Sequence, residues 1–202
     1  MPIRAVIVDL MDVLLLDEGP ERSQWEVGNG VAEGALMRAM FRLPLFRDAI
    51  LGHVSEADLW RNVARTLGKN PETWHELAEV FYSAFRLNAD LVAFLRTLRP
   101  RYKTAILSNT PSGMRTLITE RFHLDQAVDT IIISAEEHIR KPEPAIFQLA
   151  ADRLGVPLQE ILFVDDEARY VEAARKLGMK IVQFRETGQA LAEMRRQLEQ
   201  VR

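Results

Sequence analysis

The chain has 202 residues, of which 48% are hydrophobic and 27% charged, with a formal net charge of -3. That length fits one domain or a domain carrying a large insertion, and the composition excludes the disordered, fibrous and membrane-spanning classes. Without a basic surplus no nucleic-acid partner is expected, and zero cysteines remove disulfides, thiolate metal sites and a cysteine nucleophile. The first apolar run, residues 5–8, is cut off by Asp9 far short of a secretory segment. No window approaches the ~18 apolar residues that would span a bilayer. A cytoplasmic protein with no membrane partner, monomer or homodimer, is the expectation.

Residues 5–8 predict a first strand buried on both faces. Segment 17–88 then carries helical periodicity and no comparable strand. Its candidate helices are 31–42, 56–67 with Ser55 as N-cap, and 72–85 beside Asn70-Pro71. Branched apolar runs at 104–107, 130–133, 161–164 and 180–184 predict four further strands. Helices are predicted at 145–154 and 170–177, the second closed by Gly178. Strands alternating with helices imply a doubly wound, Rossmann-like parallel α/β sheet with right-handed crossovers. The core would comprise residues 1–16 and 89–202. The helical cap, residues 17–88, would be inserted after the first strand, as a lid or as an accessory subdomain. Trp25, Trp60 and Trp74 read as cap core, and residues 194–199 as the polar face of a terminal helix.

Ligands bind open α/β sheets at the carboxyl ends of their strands, and those ends are polar here. They carry Asp9 to Asp12, then Ser108-Asn109-Thr110, then Glu136-Glu137-His138 leading to Arg140-Lys141-Pro142, and finally Asp165-Asp166-Glu167. Asp9 alone could be a turn residue. Beside Asp165 and Asp166 it becomes one of several carboxylates whose mutual repulsion a divalent cation would relieve. Oxygen ligands with no cysteine and no neighbouring histidine suit Mg²⁺ rather than zinc. Lys141 adds a second cation, and Ser108 and Asn109 add neutral donors. Carboxylate nucleophile, metal, ammonium and hydroxyl together fit phosphoryl transfer, in which the protein positions the group and neutralises its charge.

Four segments in this order, AVIVDLMDVLLL, AILSNT, HIRKPEPAIFQLA and LFVDDEARYVEAARKLGM, resemble the motifs of the haloacid dehalogenase-like hydrolase superfamily. The likeness covers nearly the whole chain and is nearest the helical-cap branch, in its sugar-phosphatase-like and epoxide-hydrolase-phosphatase-like members. The resemblance implies that Asp9 is a nucleophile forming an aspartyl-phosphate. It further implies that Ser108 binds a phosphoryl oxygen, that Asn109 shapes the substrate pocket, and that Lys141 neutralises charge. Asp9, Asp165, Asp166 and the backbone carbonyl of Met11 would hold Mg²⁺. The implied substrate is a small phosphorylated metabolite, a sugar phosphate or nucleotide.

Met11 departs from the family pattern, which usually has at that place an Asp that protonates the leaving group and activates water. Methionine does neither, although its carbonyl remains available to metal. Asp12 reads as a residue capping or hydrogen-bonding the turn, or as a displaced acid; His53, Glu56, a water or the substrate are other proton carriers. Met11 also keeps two rival readings open. One is a 2-haloacid dehalogenase, since halide leaves without a proton, although the Asp165-Asp166 pair counts against it. The other is a non-catalytic module binding a phospholigand or a partner.

Overall fold

In the computed structural model the described residues are 1–42 and 44–199. The core is a five-stranded parallel sheet in the order β5-β4-β1-β6-β7. Its strands are β1 (Ala5–Val8), β4 (Lys103–Ser108), β5 (Thr130–Ile133), β6 (Ile161–Asp165) and β7 (Lys180–Gln183). All four residues of β1 are buried because it lies mid-sheet with helices on both sides. Alternation sends Val6 and Val8 into one apolar cluster and Ala5 and Ile7 into the other. Such a strand reads as a continuous apolar run, which is the pattern the sequence offers.

The chain winds from β1 through α6 (Ala89–Leu98) to β4, then to β5, and returns by α9 (Pro144–Leu154) to β6 on the other side of β1. Strand order therefore reverses at β1, and the crevice beside its carboxyl end is where such sheets bind ligands. α10 (Ala168–Lys176) leads to β7, with Gly178 at φ 87 as the left-handed cap that the sequence predicts. α11 (Thr187–Glu199) closes the core. Its buried Met194 and Leu198 correct the reading of 194–199 as a polar face: every third or fourth residue of that stretch turns inward.

The segment between β1 and β4 is helical, as expected, but carries more elements than periodicity reveals. They are α1 (Glu21–Gly28), α2 (Ala35–Arg42), α3 (Pro44–Ala49), α4 (Glu56–Thr66) and α5 (Trp74–Ser83). Ser55 caps α4 by accepting the Asp58 N–H at 3.1 Å. The helix expected over 31–42 begins only at Ala35. There the buried Glu26 carboxylate accepts the N–H groups of Gly34 and Leu36, at 2.7 and 2.8 Å. Trp60 is fully buried, and Trp25 and Trp74 pack against the same core.

The expectation of no strand in this region is corrected by a short antiparallel ribbon, β2 (Leu15–Asp17) with β3 (Phe85–Leu87). Each strand has three residues, too few to show alternation. The ribbon ties together the two chain crossings at the neck of the helical segment. Gly19 continues it by donating to the Ala84 carbonyl at 2.8 Å. Two short helices, α7 (Met114–Thr116) and α8 (Ser134–Glu137), follow β4 and β5. Among the described residues, no helix is long and apolar enough to cross a membrane.

Candidate active site

Sheet register assembles the site. Val8 pairs with Val164, so the next step along both strands sets Asp9 beside Asp165. On the other flank Val8 pairs with Ile106, and Ser108 ends β4 two residues later. Lys141 comes from the loop before α9. Its Nζ lies 2.8 Å from Oδ1 of Asp9 and 2.7 Å from Oδ2 of Asp165, and its side chain has no solvent exposure. Asp9 Oδ1 also accepts the Leu10 N–H at 2.7 Å, and Asp165 Oδ1 that of Glu167 at 2.9 Å. Both carboxylates are thereby fixed by the backbone as well as by the ammonium.

The four predicted metal ligands, Asp9, Met11, Asp165 and Asp166, stand together at this end of the sheet. Carboxylate oxygens of Asp9, Asp165 and Asp166 lie within 4.8 Å of one another. The Met11 carbonyl accepts no backbone hydrogen bond from the described residues. Burial, followed by the charge of Asp9, pushes Asp165 up to about 8 and Asp166 up to about 6. Burial alone would lower Lys141, but the charges and hydrogen bonds of Asp9 and Asp165 outweigh it and carry the ammonium above its usual range. One lysine thus leaves three clustered carboxylates short of positive charge. A hard cation with oxygen ligands fits that donor set.

Above this floor opens a cavity of about 460 Å³, lined there by Asp9, Met11, Asp12, Ser108, Asn109 and Asp166. Ser108 is 1% exposed, and its Oγ has no hydrogen-bond partner; Oγ1 of neighbouring Thr110 is also buried and unpartnered. Buried hydroxyls are rarely left so. Two of them lining a polar cavity can donate to the oxygens of a ligand. Asn109 is used differently. Its amide nitrogen donates to the Lys141 carbonyl at 2.8 Å, its Oδ1 accepts the Lys141 N–H at 2.8 Å, and it also donates to the Tyr170 hydroxyl at 3.1 Å. Asn109 therefore lines the cavity while holding the backbone of Lys141 in place.

Asp12 makes no side-chain hydrogen bond among the described residues, which removes the reading of it as the cap of its own turn; the turn closes through its backbone N–H to the Leu15 carbonyl at 2.9 Å. It has a positive φ of 57 and lines the cavity. Burial and then the charge of Asp9 raise its pKa against the opposing pull of Arg22. His53 and Glu56 are engaged elsewhere. His53 stacks on His138 with ring centroids 6.2 Å apart, and the Glu56 carboxylate accepts from the Tyr82 hydroxyl and the Trp60 ring. Glu136 and Glu137, also at a strand end, are bound to Arg115 and Arg153. Sequence reasoning named Thr110 at the strand end but gave it no role, and missed Tyr170 as a site residue. Thr110 had a signal, its place two residues after Ser108; Tyr170 had none, because its hydroxyl meets Asn109 across 61 positions of chain.

A family model described as haloacid dehalogenase-like hydrolase matches residues 3–178. The chain is 29% identical over 196 residues to the (S)-2-haloacid dehalogenase 4A of Burkholderia cepacia, covering 92% of this chain and 84% of that protein. It is also 29% identical to the phosphoserine phosphatase of Thermus thermophilus, covering 89% and 87%. Against an acyl-CoA dehydrogenase family member of Mus musculus it spans only 19% of the relative's length. A HAD family enzyme of Bacteroides thetaiotaomicron, solved in complex with magnesium and inorganic phosphate, superposes with a TM-score of 0.73 at 19% identity, over 91% of this chain and 94% of that one.

Proposed function

The chain belongs to the haloacid dehalogenase-like hydrolases, and on that premise we propose that it is a Mg²⁺-dependent hydrolase of small phosphate monoesters. The observation that carries this reading is the Asp9, Asp165 and Asp166 cluster beside a buried lysine and two unpartnered hydroxyls. An anionic phosphoryl group entering alone would meet net negative charge. Bound by these carboxylates and the Met11 carbonyl, Mg²⁺ would supply the missing positive charge to carboxylates and phosphoryl oxygens alike.

In this reading a carboxylate oxygen of Asp9 attacks phosphorus, and the bond from phosphorus to the alcohol oxygen breaks. The alcohol leaves with that electron pair and takes up a proton. Ser108 and Thr110 donate to phosphoryl oxygens, and Lys141, held by Asn109, balances the charge that builds on them. Water then attacks the phosphorus of the aspartyl-phosphate, releasing inorganic phosphate and restoring the Asp9 carboxylate. The helical segment over the cavity would limit the entry of water.

A second reading, 2-haloacid dehalogenase, draws on Met11 lining the cavity where an acid would serve a phosphatase, and on the likeness to a dehalogenase. Metal dependence separates the two. Phosphate release that stops in EDTA and returns with Mg²⁺ is the expected result. Halide release from a 2-haloacid that is indifferent to EDTA would replace this reading with the second.

A further inference from the structure

The helical side of the cavity is unlike its floor. Met37, Met40 and Phe41 of α2, Phe46 of α3, Phe81 of α5 and Phe85 of β3 form its wall. Phe41 is 48% exposed, and its ring meets that of Phe46 edge-on, with centroids 4.9 Å apart. Phe81 in turn meets Phe85 edge-on at 5.4 Å. The polar groups on this side are committed or at the surface. Asp17 is ion-paired with Arg22, whose guanidinium also donates to the Met37 sulfur and lies over the Phe81 and Phe85 rings, the Tyr82 hydroxyl donates to Glu56, and Arg47, which also lines the cavity, is exposed. A sugar or nucleoside carries several hydroxyl or base groups that need partners, and a wall made mainly of thioethers and phenyl rings supplies few. An aromatic ring finds both edge-to-face neighbours and polarisable sulfur there.

We propose that the ester cleaved at this site is the phosphate of an aromatic alcohol, whose uncharged ring system seats against Met37, Phe46 and Phe81. The proposal rests on the phosphatase reading above and departs from the sugar phosphate or nucleotide that the motifs suggest. Size agrees with it. A single benzene ring fills an engineered cavity of about 150 Å³. The 460 Å³ here holds a phosphoryl group and a ring system larger than one benzene.

The test compares 2-naphthylmethyl phosphate with glucose 6-phosphate and glycerol 1-phosphate in the presence of Mg²⁺. All three leave as primary alcohols, so the comparison reads the cavity rather than the chemistry of the leaving oxygen. The expected kcat/KM is about 10²-fold higher for the naphthylmethyl ester, mostly through KM, and Met37→Gln or Phe46→Asn narrows that ratio by about tenfold. Should a variant fail to fold, inhibition of the unmodified protein by 2-naphthylmethylphosphonate against methylphosphonate gives the same information, with about tenfold tighter inhibition expected from the aromatic compound. Phosphate release with equal or reversed preference, a ratio that neither variant moves, or equal inhibition overturns the aromatic assignment and leaves the phosphatase reading standing. Metal-dependent phosphate release from none of the three esters overturns both.

Discussion

Lys141 and Asp165 form an ion pair in which neither side chain touches solvent, Nζ to Oδ2 at 2.7 Å, and the same ammonium reaches Asp9 at 2.8 Å. A buried charge pair of this kind adds little to net stability, yet removing one partner strands the other. Lys141→Met should therefore cost about 3–5 kcal/mol. In thermal melts of the metal-free protein that is a fall of roughly 6–20 °C. A melting temperature within a degree of the parent would show that Asp9 and Asp165 do not depend on the lysine.

Asp9 carries the bond-making oxygen in the proposed chemistry. Asp9→Asn keeps the size of the side chain and its acceptor for the Leu10 N–H while removing the nucleophilic carboxylate. Turnover should drop by about 10³-fold or more, with an unchanged circular dichroism spectrum. A variant retaining a tenth of the parent rate would remove Asp9 from its assigned role.

Met11 occupies the cavity wall next to the nucleophile with no group that can donate a proton. General acid–base assistance is worth about 10²–10⁴-fold where it is supplied. Met11→Asp should accordingly raise kcat on an alkyl phosphate by about tenfold or more, measured as steady-state phosphate release. A flat or reduced rate would mean that another group already moves the proton; Asp12, whose side chain faces the same cavity unbonded, would then be the position to neutralise by Asp12→Asn.

Gly52 lies where the helical segment touches the core. Its φ is +73, and a Cβ added there would come 2.1 Å from the Ala135 carbonyl oxygen. Around it the Ser134 hydroxyl donates to the Ile50 carbonyl at 2.6 Å, and the His138 ring lies 2.8 Å from the Leu51 carbonyl. Gly52→Ala should cost roughly 1–3 kcal/mol in backbone strain and displaced contact. KM should rise as the cavity wall is pushed outward, while Gly68→Ala, whose glycine also has positive φ but no neighbour within 4 Å, should leave KM unaltered. Equal KM values in the two variants would show that the contact around Gly52 does not shape the cavity.

The core strands were legible because β1, β4 and β6 are buried on both faces, which writes them as branched apolar runs, several of them in alternation with helical segments. Four polar strand ends in family order were legible for the same reason, since each follows directly on such a run. The ribbon of Leu15–Asp17 with Phe85–Leu87 was not: three-residue strands carry no period, and their pairing is set by distant chain, Leu15 against Leu87 to Asp17 against Phe85. Nor could the sequence show that α1 and α3 form beside the predicted cap helices. They are short elements stabilised by packing rather than by propensity.

What the order of residues determined by itself is therefore the doubly wound sheet, the helical insertion, and the choice of Asp9, Ser108, Lys141, Asp165 and Asp166 as candidate groups, because strand-end position and the family resemblance single them out together. What the tertiary structure alone decided is how those groups are spent. Parallel register sets two carboxylates against one buried ammonium, Asn109 is turned to holding the backbone of Lys141, and the side chain of Asp12 is freed from its turn. The same folding gathers Met37, Phe46 and Phe81 from three separate helices into one wall. Hydrogen-bond partners and cavity walls are relations between distant positions, and they come into being only when the sheet and the helices above it pack.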